Sequence, residues 1–147
     1  MAARIIDGKA IAARIKERLT QEMMGLPEGS TPCLATLLVG DDYGAAQYRG
    51  QIERLATGMG YRYLDARLPA SADLSAIQKQ VRELADDASV HGILPLRPFP
   101  DGISDDAVVQ CLPPSKDIDG FHPDNLGRLL LDVPRLVPST ARACMVA

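Results

Sequence analysis

Two short, mostly apolar runs constrain the fold of this chain more than any other feature. "CLATLLVG" spans residues 33–40 and "VHGILP" spans residues 90–95. Strands that are covered on both faces of a parallel sheet have this pattern. We therefore predict two central strands, the second of which ends at Pro95 because proline cannot donate to the sheet ladder.

Patterns typical of helices alternate with these strands. Asp7 is predicted to cap a first helix and Asp73 or Ser71 to cap a third, each followed by apolar residues at three- or four-residue spacing. Between them a helix is predicted over residues 44–58, with Leu55 and Met59 on its inner side. The other predicted elements are a half-exposed strand and two short helices, at residues 61–69, 105–112 and 125–132. This alternation predicts an α/β fold, a three-layer sandwich with a mainly parallel sheet and helices on both faces.

Composition narrows the class of protein. With 147 residues, 46% of them hydrophobic, the chain can build one globular domain, and it contains no run of about 18 apolar residues that would span a membrane. Its 16 basic and 19 acidic residues are interspersed, which argues against nucleic acid as a partner. The three cysteines match no disulfide or metal-ligand spacing, so we expect free thiols in the cytoplasm and no metal site.

Three polar loops follow predicted strands or lie beyond them, at residues 40–48, 95–100 and 115–123. Ligands of open α/β sheets bind at the carboxyl ends of the strands, so these loops are the candidate site. The glycines of "GMGYRY", residues 58–63, end a helix and open a strand, which is the reverse of a dinucleotide fingerprint. The sequence therefore predicts no nucleotide cradle in this chain.

The segment "KDIDGFHPDNLGRL", residues 116–129, is the most specific of the loops. In extended backbone Asp117 and Asp119 would point to the same side, where a carboxylate can pair with the N–H groups of an amide-like heterocycle. Gly120 permits a sharp exit, and Phe121 is expected to pack under the loop. The alternative, which composition alone favours, is a turn with solvated acids and a structural glycine.

Four segments are informative in their order and spacing: "DGKAIAARI" near the start, "LLVGDD" followed by Tyr48, "GIL" followed by Pro98 and Pro100, and "KDIDGFHPDNLGRL". Together they resemble the bifunctional methylenetetrahydrofolate dehydrogenase/methenyltetrahydrofolate cyclohydrolase family. The resemblance extends from Arg4 to about Thr140. In the presence of the other three segments, the resemblance favours a functional interpretation of the last one over a solvated turn.

The resemblance implies a protein of two domains. Residues 1–140 would form an N-terminal folate-binding domain of the catalytic type, and residues 141–147 would begin a helix that leads to a nucleotide-binding domain absent from this chain. It also implies a tetrahydrofolate derivative as the substrate, NADP or NAD bound only by that second domain, and a homodimer of the full-length protein.

The resemblance also assigns the residues of the site. It implies substrate contacts for Tyr48, Arg49, Gly50, Gln51, Ile52, Pro95, Leu96, Arg97 and Asp119. The catalytic positions among them are Tyr48, Ile52, Leu96 and Asp119. The ring of Tyr48 would stack on the flat aminobenzoyl part of a folate, with ordinary helix packing as the alternative.

Two of these catalytic positions depart from the family. Ile52 stands where the family has a proton-handling Lys, Leu96 where it has the Gln that tunes this Lys, and Ala45 where it has a Ser. The first two positions have changed together, which is physically sensible because a Gln buried beside isoleucine would keep an unsatisfied amide. Arg49 and Arg54 project in other directions round the helix, so neither replaces the Lys.

Arg97 stands where the family has a Leu, and three interpretations are open. Its guanidinium could pair with Asp119, could bind the glutamate of a folate, or could fold outward into solvent. His122 lies between Phe121 and Pro123 in the family motif, so we expect a structural role for it, and His91 carries no functional signal.

Three functions remain compatible with these residues. The first is a family enzyme that keeps hydride transfer, which cofactor and geometry perform without a protein acid or base. The second is a non-catalytic folate-binding or regulatory relative, and the third is a paralogue whose different substrate is read by Arg97. In each of them Ile52 and Leu96 predict that methenyltetrahydrofolate is not hydrolysed above the solution rate.

Overall fold

The computed structural model describes residues 5–146, so Arg4, where the resemblance begins, lies outside the described residues. Within them lie three strands, β1 to β3, at Cys33–Val39, Arg62–Leu68 and Gly92–Pro95. The six helices of this part of the chain, α1 to α6, are Gly8–Met24, Tyr43–Gly58, Leu74–Asp86, Asp105–Val109, Pro123–Leu130 and Ser139–Val146. The predicted order of strands and helices is confirmed, with boundaries that differ by a few residues at most.

The three strands form a parallel sheet in the order β2-β1-β3. One face packs against α3, whose buried residues Ile77, Val81 and Leu84 join Ala35 and Leu37 of β1 in the larger core. The other face packs against α2 in a smaller apolar cluster. The predicted α/β fold with helices on both faces of a parallel sheet is confirmed, and β1, buried on both faces, is its central strand.

Aspartates begin the first three helices. The Oδ1 atoms of Asp7, Asp42 and Asp73 accept from the backbone N–H groups three residues on, at 3.0, 2.8 and 2.8 Å. Side chains at this position satisfy donors that have no partner within the helix. For α3 the structure thus selects Asp73, not Ser71, as the cap.

The predicted inner face of α2 is wrong at Leu55, whose side chain is 44% exposed. Small side chains, Ala45 and Ala56, are the buried residues of this helix, with Ile52 and Met59 partly buried. Because alanines give only a weak apolar periodicity, the large side chain of Leu55 wrongly indicated which side of α2 faces the sheet. The correct phase matters because it directs Ile52 toward the sheet.

Within residues 5–146, no helix combines the length and the apolar character that crossing a membrane requires.

Candidate functional site

The candidate site lies around the carboxyl ends of β1 and β3. Its first part is on α2, where Tyr48 is 53% exposed and precedes Ile52 by one helical turn. Its second part is the chain that follows β3, at Leu96 and Arg97, and its third is Asp119. An apolar group includes Ile52 and Leu96, and a charged group includes Arg97 and Asp119.

Ile52 and Leu96 belong to the apolar group. Leu38, Ala45, Leu94 and Leu96 are buried, and Ala46, Ile52 and Ile118 pack against them. Leu96 is 2% exposed, and its backbone N–H donates to the carbonyl of Leu37 at 2.8 Å. Leu96 and Pro95 are therefore part of the buried interior, and the cluster that Ile52 joins consists of side chains that cannot carry a proton.

Arg49 is directed away from this cluster, as the sequence predicted. Its NH1 atom contacts Glu53 Oε2 at 3.0 Å and Asp65 Oδ2 at 3.1 Å, which ties α2 to β2. Gln51 is exposed and Gly50 half-buried on the same helix. Arg49 is thus committed to holding the helix on the sheet.

Asp117 and Asp119 do not act as a pair, so the expectation that they point to the same side is wrong. The backbone is strand-like only at Asp117, which bridges to Ile93 of β3, and a turn follows through Ile118 and Asp119. Asp117 is buried and accepts from the backbone N–H groups of Gly120 and His122 and from Asn125 Nδ2, at 3.1, 2.8 and 3.0 Å. Its carboxylate is therefore fully used in shaping the loop.

Asp119 has a different environment. Its side chain is 25% exposed, and its one hydrogen bond within residues 5–146 is a long one, from Ser139 Oγ to Oδ1 at 3.4 Å. Burial raises the pKa of Asp119, an effect that the Arg97 guanidinium opposes, Asp117 reinforces and Ser139 opposes. Asp119 is therefore a half-buried carboxylate with unused acceptor capacity.

Arg97 is an exposed residue that lies beside Asp119, with 34% of its side chain accessible to solvent. Its Nε donates to Asp105 Oδ2 at 2.6 Å, and its NH1 is 3.8 Å from Asp119 Oδ2. The guanidinium carbon lies 5.1 Å from the centroid of the Phe121 ring, within cation–π range. Phe121 is 44% exposed, so the expectation that it packs under the loop is wrong; it supports Arg97 instead.

The side chains of both histidines accept hydrogen bonds from backbone N–H groups. His122 caps α5, since its Nδ1 accepts from the N–H of Asp124 at 3.1 Å, in line with the predicted structural role. His91 Nδ1 accepts from the N–H of Cys33 at 3.1 Å. Among the residues that the structure describes, no group of three or more His, Cys, Asp or Glu side chains is placed to hold a metal ion.

The model of the tetrahydrofolate dehydrogenase/cyclohydrolase catalytic domain matches residues 6–119. The chain belongs to this family. Bifunctional protein FolD 3 of Rubrobacter xylanophilus is 47% identical over 145 residues, which cover 98% of this chain and 46% of that protein. The FolD protein of Acidiphilium cryptum is 43% identical, with 99% of this chain and 51% of that protein covered.

Solved structures agree with the family assignment. The bifunctional FolD of Campylobacter jejuni matches 98% of this chain and 52% of its own, with a TM-score of 0.94 and 34% identity. The Trypanosoma brucei FolD, solved with NADP cofactor and an inhibitor, matches 99% of this chain and 51% of its own, with a TM-score of 0.92 and 32% identity. The chain therefore spans about half the length of the relatives it matches.

Three residues that contact Arg97, Asp119 or Asp117 had not been singled out from the sequence. Asp105, at the start of α4, is the main partner of Arg97, and Ser139 approaches Asp119 from the start of α6. Asn125 is fully buried and bonds both Asp117 and the carbonyl of Pro114. Only Asn125 gave a signal, as the polar residue of the "HPDN" stretch; the other two contacts depend on how distant loops fold together.

Proposed function

We propose that this chain is the N-terminal, folate-binding half of a methylenetetrahydrofolate dehydrogenase-type protein of one-carbon metabolism, in which the cyclohydrolase site is disabled. The observation that carries the second part is the apolar contact surface of Ile52 and Leu96. Family membership and the preserved Tyr48 and Asp119 support the first part.

Tyr48 and Asp119 offer two complementary ways to hold a folate. Tyr48 presents an exposed ring on α2 on which a flat aromatic group can stack. Asp119 presents a half-buried carboxylate that accepts only one long hydrogen bond within the described residues. Buried polar groups stay under-bonded at a cost, which a ligand that donates N–H groups would relieve.

Hydrolysis of a methenyl group needs a proton donor and acceptor at the reacting carbon, worth typically 10²–10⁴-fold in rate. Isoleucine at 52 cannot supply it, and Leu96 has no amide to orient one. Arg49, a cation on the same helix, is paired with Glu53 and Asp65. Within the described residues, the apolar cluster that Ile52 joins has no ionisable member that would substitute for the missing Lys.

The residues present do not fit a dinucleotide. At the turn from β1 into α2, where a phosphate cradle would have glycines and free N–H groups, Asp42 already accepts from the N–H of Ala45, and Asp41 adds a second acid. Residues 1–140 would be the folate domain and α6 the start of the link to a further domain that binds NADP.

The same proposal includes the cell compartment and the oligomeric state. Cys33, Cys111 and Cys144 are free thiols, which supports a reducing cytoplasm. A longer protein would be a homodimer like the family in general.

A paralogue with a different substrate is the second candidate function. The supporting observation is that Arg97 lies beside the Asp119 carboxylate, at a position where the family has an apolar residue.

Calorimetric titration of the 147-residue chain with tetrahydrofolate tests the folate function. We expect saturable binding that Tyr48→Ala and Asp119→Ala each weaken, whereas Gln47→Ala, an exposed change on the same helix, leaves it unaltered. Absence of binding would exclude the folate function. Hydrolysis of methenyltetrahydrofolate well above the solution rate, lost in Tyr48→Ala, would exclude the disabled cyclohydrolase site.

A further inference from the structure

We propose that Arg97 makes the folate site selective for a ring edge that carries a carbonyl beside its N–H groups, an inference that rests on the folate function proposed above. The Arg97 guanidinium would donate to the ring carbonyl, and Asp119 would accept from the adjacent ring N–H and amino group. Arg97 is then a specificity-determining residue of this chain's own, since the family position is apolar.

Asp119 is equipped to accept more hydrogen bonds than it makes. An ionised carboxylate has about four acceptor sites, and the structure gives Asp119 one contact, 3.4 Å from Ser139 Oγ. Asp117, two residues before it, accepts three. The difference indicates that Asp119 is available to a ligand, whereas Asp117 is not.

Arg97 is held in place with donors to spare. Asp105 binds Nε at 2.6 Å, and Phe121 lies against the guanidinium plane, with 5.1 Å between Cζ and the ring centroid. A guanidinium carries five N–H donors, and within residues 5–146 only the one on Nε makes a hydrogen bond. The remaining donors, on NH1 and NH2, are positioned by two contacts that do not use them.

The gap between the two groups suits an edge that has an acceptor beside donors. Arg97 NH1 and Asp119 Oδ2 are 3.8 Å apart, too far for a hydrogen bond with each other. A ligand carbonyl oxygen can lie about 2.9 Å from the guanidinium while the ring N–H beside it lies about 2.9 Å from the carboxylate. A lactam presents that arrangement, with its carbonyl next to its N–H.

Local charge argues against an acidic ligand group. Asp105 and Asp119 flank the single guanidinium, so the group of three carries a net charge of −1. A carboxylate, such as the glutamate of a folate, would meet two like charges there. A neutral ring edge that both accepts and donates hydrogen bonds is compatible with this net charge, because it needs no counter-charge from the protein.

This arrangement predicts discrimination at one atom of the ligand. In folic acid the ring carries a 4-oxo group, which accepts, and in aminopterin it carries a 4-amino group, which donates. The 4-amino group would face the N–H donors of Arg97, so neither the amino group nor the guanidinium would have an acceptor there. Specificity of this kind comes from the penalty on the wrong ligand as much as from the bond to the right one.

Calorimetry with folic acid and aminopterin on the intact chain tests the inference, with Arg97→Leu, Arg97→Lys and Arg82→Leu as variants. Arg82 is an exposed arginine on α3, across the sheet from α2, and serves as the matched control. We expect the wild type and Arg82→Leu to prefer folic acid by about tenfold. Arg97→Leu should lose about tenfold in folic acid affinity and most of the preference, and Arg97→Lys should retain part of both.

The outcomes separate the two proposals. Binding of folic acid that is equally strong in the wild type and in Arg97→Leu, with the preference over aminopterin unchanged, overturns the role of Arg97 and leaves the folate function standing. Tighter folic acid binding in Arg97→Leu also overturns it, because it would show that Arg97 competes for Asp119. Failure of tetrahydrofolate, folic acid and aminopterin to bind the wild type overturns the folate function and the inference together.

Discussion

Asp117 and Asp119 are separated by one residue, yet Asp117 accepts three hydrogen bonds and Asp119 only a long contact from Ser139. Asp117 bonds the N–H groups of Gly120 and His122 and the side chain of Asn125, so it fixes the turn and the start of α5. That turn includes Asp119, whose Oδ2 lies 3.8 Å from Arg97 NH1. One aspartate thus builds the loop on which the other is presented to a ligand.

We therefore expect Asp117→Asn to destabilise the protein by about 3 kcal/mol, because hydrogen bonds to a charged acceptor would be lost and an amide N–H₂ would face donors. Asp119→Asn is the same substitution at a carboxylate that accepts one long hydrogen bond, so it should change the free energy of unfolding by less than about 0.5 kcal/mol. Urea denaturation of both variants measures this. Equal losses would contradict the division of roles.

The pH dependence of stability should also depend on Asp119. Burial raises its pKa, so the folded state binds more protons than the unfolded state between the ordinary carboxyl pKa and the raised value. The contribution of Asp119 to stability therefore falls as pH rises through that window. Asp119→Asn should remove this fall, which urea denaturation across acid pH can measure against the wild type.

The charges that face Asp119 are Arg97 and Asp117. Since the guanidinium opposes the rise in pKa, Arg97→Leu should raise the pKa of Asp119 further. A carboxyl ¹³C NMR titration of the two proteins reads that pKa directly, without any ligand. A lower or unchanged pKa in the variant would show that the 3.8 Å contact has no electrostatic effect.

Short sequence patterns predicted most of the fold, because helix capping and strand burial depend mainly on residues that are close together in the chain. Asp7 and Asp73 cap helices, and the unbroken apolar run of β1 is a fully buried strand. The predictions that failed, at Leu55 and Phe121, required the phase of an alanine-rich helix and the position of a distant side chain. Neither is encoded within a few residues of the position concerned.

The candidate site shows the same limit. Its members on α2 and in the "KDIDG" loop were predictable from the resemblance, and the simultaneous change at Ile52 and Leu96 already suggested that they touch. Asp105 was not predictable as the partner of Arg97, because the two residues are eight positions apart in the chain and a turn lies between them. Contacts made by the fold had to be seen in the structure.

Gly92 should tolerate no side chain. A Cβ added there would lie 2.5 Å from Ile118 Cγ2, and Gly92 is buried in β3. We expect Gly92→Ala to cost about 1–3 kcal/mol through overpacking. Gly127→Ala, at a helical glycine with open space around it, is the control and should be neutral or stabilising by up to about 1 kcal/mol.

The clash also predicts coupling between the two residues. Ile118→Ala removes the methyl group that would collide, so the double variant should be more stable than the sum of the single losses, by at least about 0.5 kcal/mol. Thermal or urea denaturation of the four proteins completes the cycle. Simple additivity would show that the strand shifts to accept the methyl group and that Ile118 does not limit it.

Rebuilding the polar pair should restore hydrolysis. Ile52→Lys alone places an ammonium against Leu38, Leu94 and Leu96, so we expect a loss of about 1–2 kcal/mol in stability and little activity. Adding Leu96→Gln gives the Lys an amide partner. The double variant should hydrolyse methenyltetrahydrofolate at roughly 10² times the solution rate, the lower end for acid–base help, because Ala45 and Arg97 still depart from the family.

The matched control is Ile52→Met with Leu96→Gln, which has similar bulk at position 52 and no ionisable group. Loss of the methenyl absorbance with time gives the rates, and tetrahydrofolate titration shows whether each variant still binds. If the Lys–Gln variant binds folate and stays folded but hydrolyses no faster than the Met–Gln control, the apolar pair is not what disables the site. If the control is equally fast, the gain comes from water that the Leu96→Gln change admits, and the Lys is not the missing acid–base group.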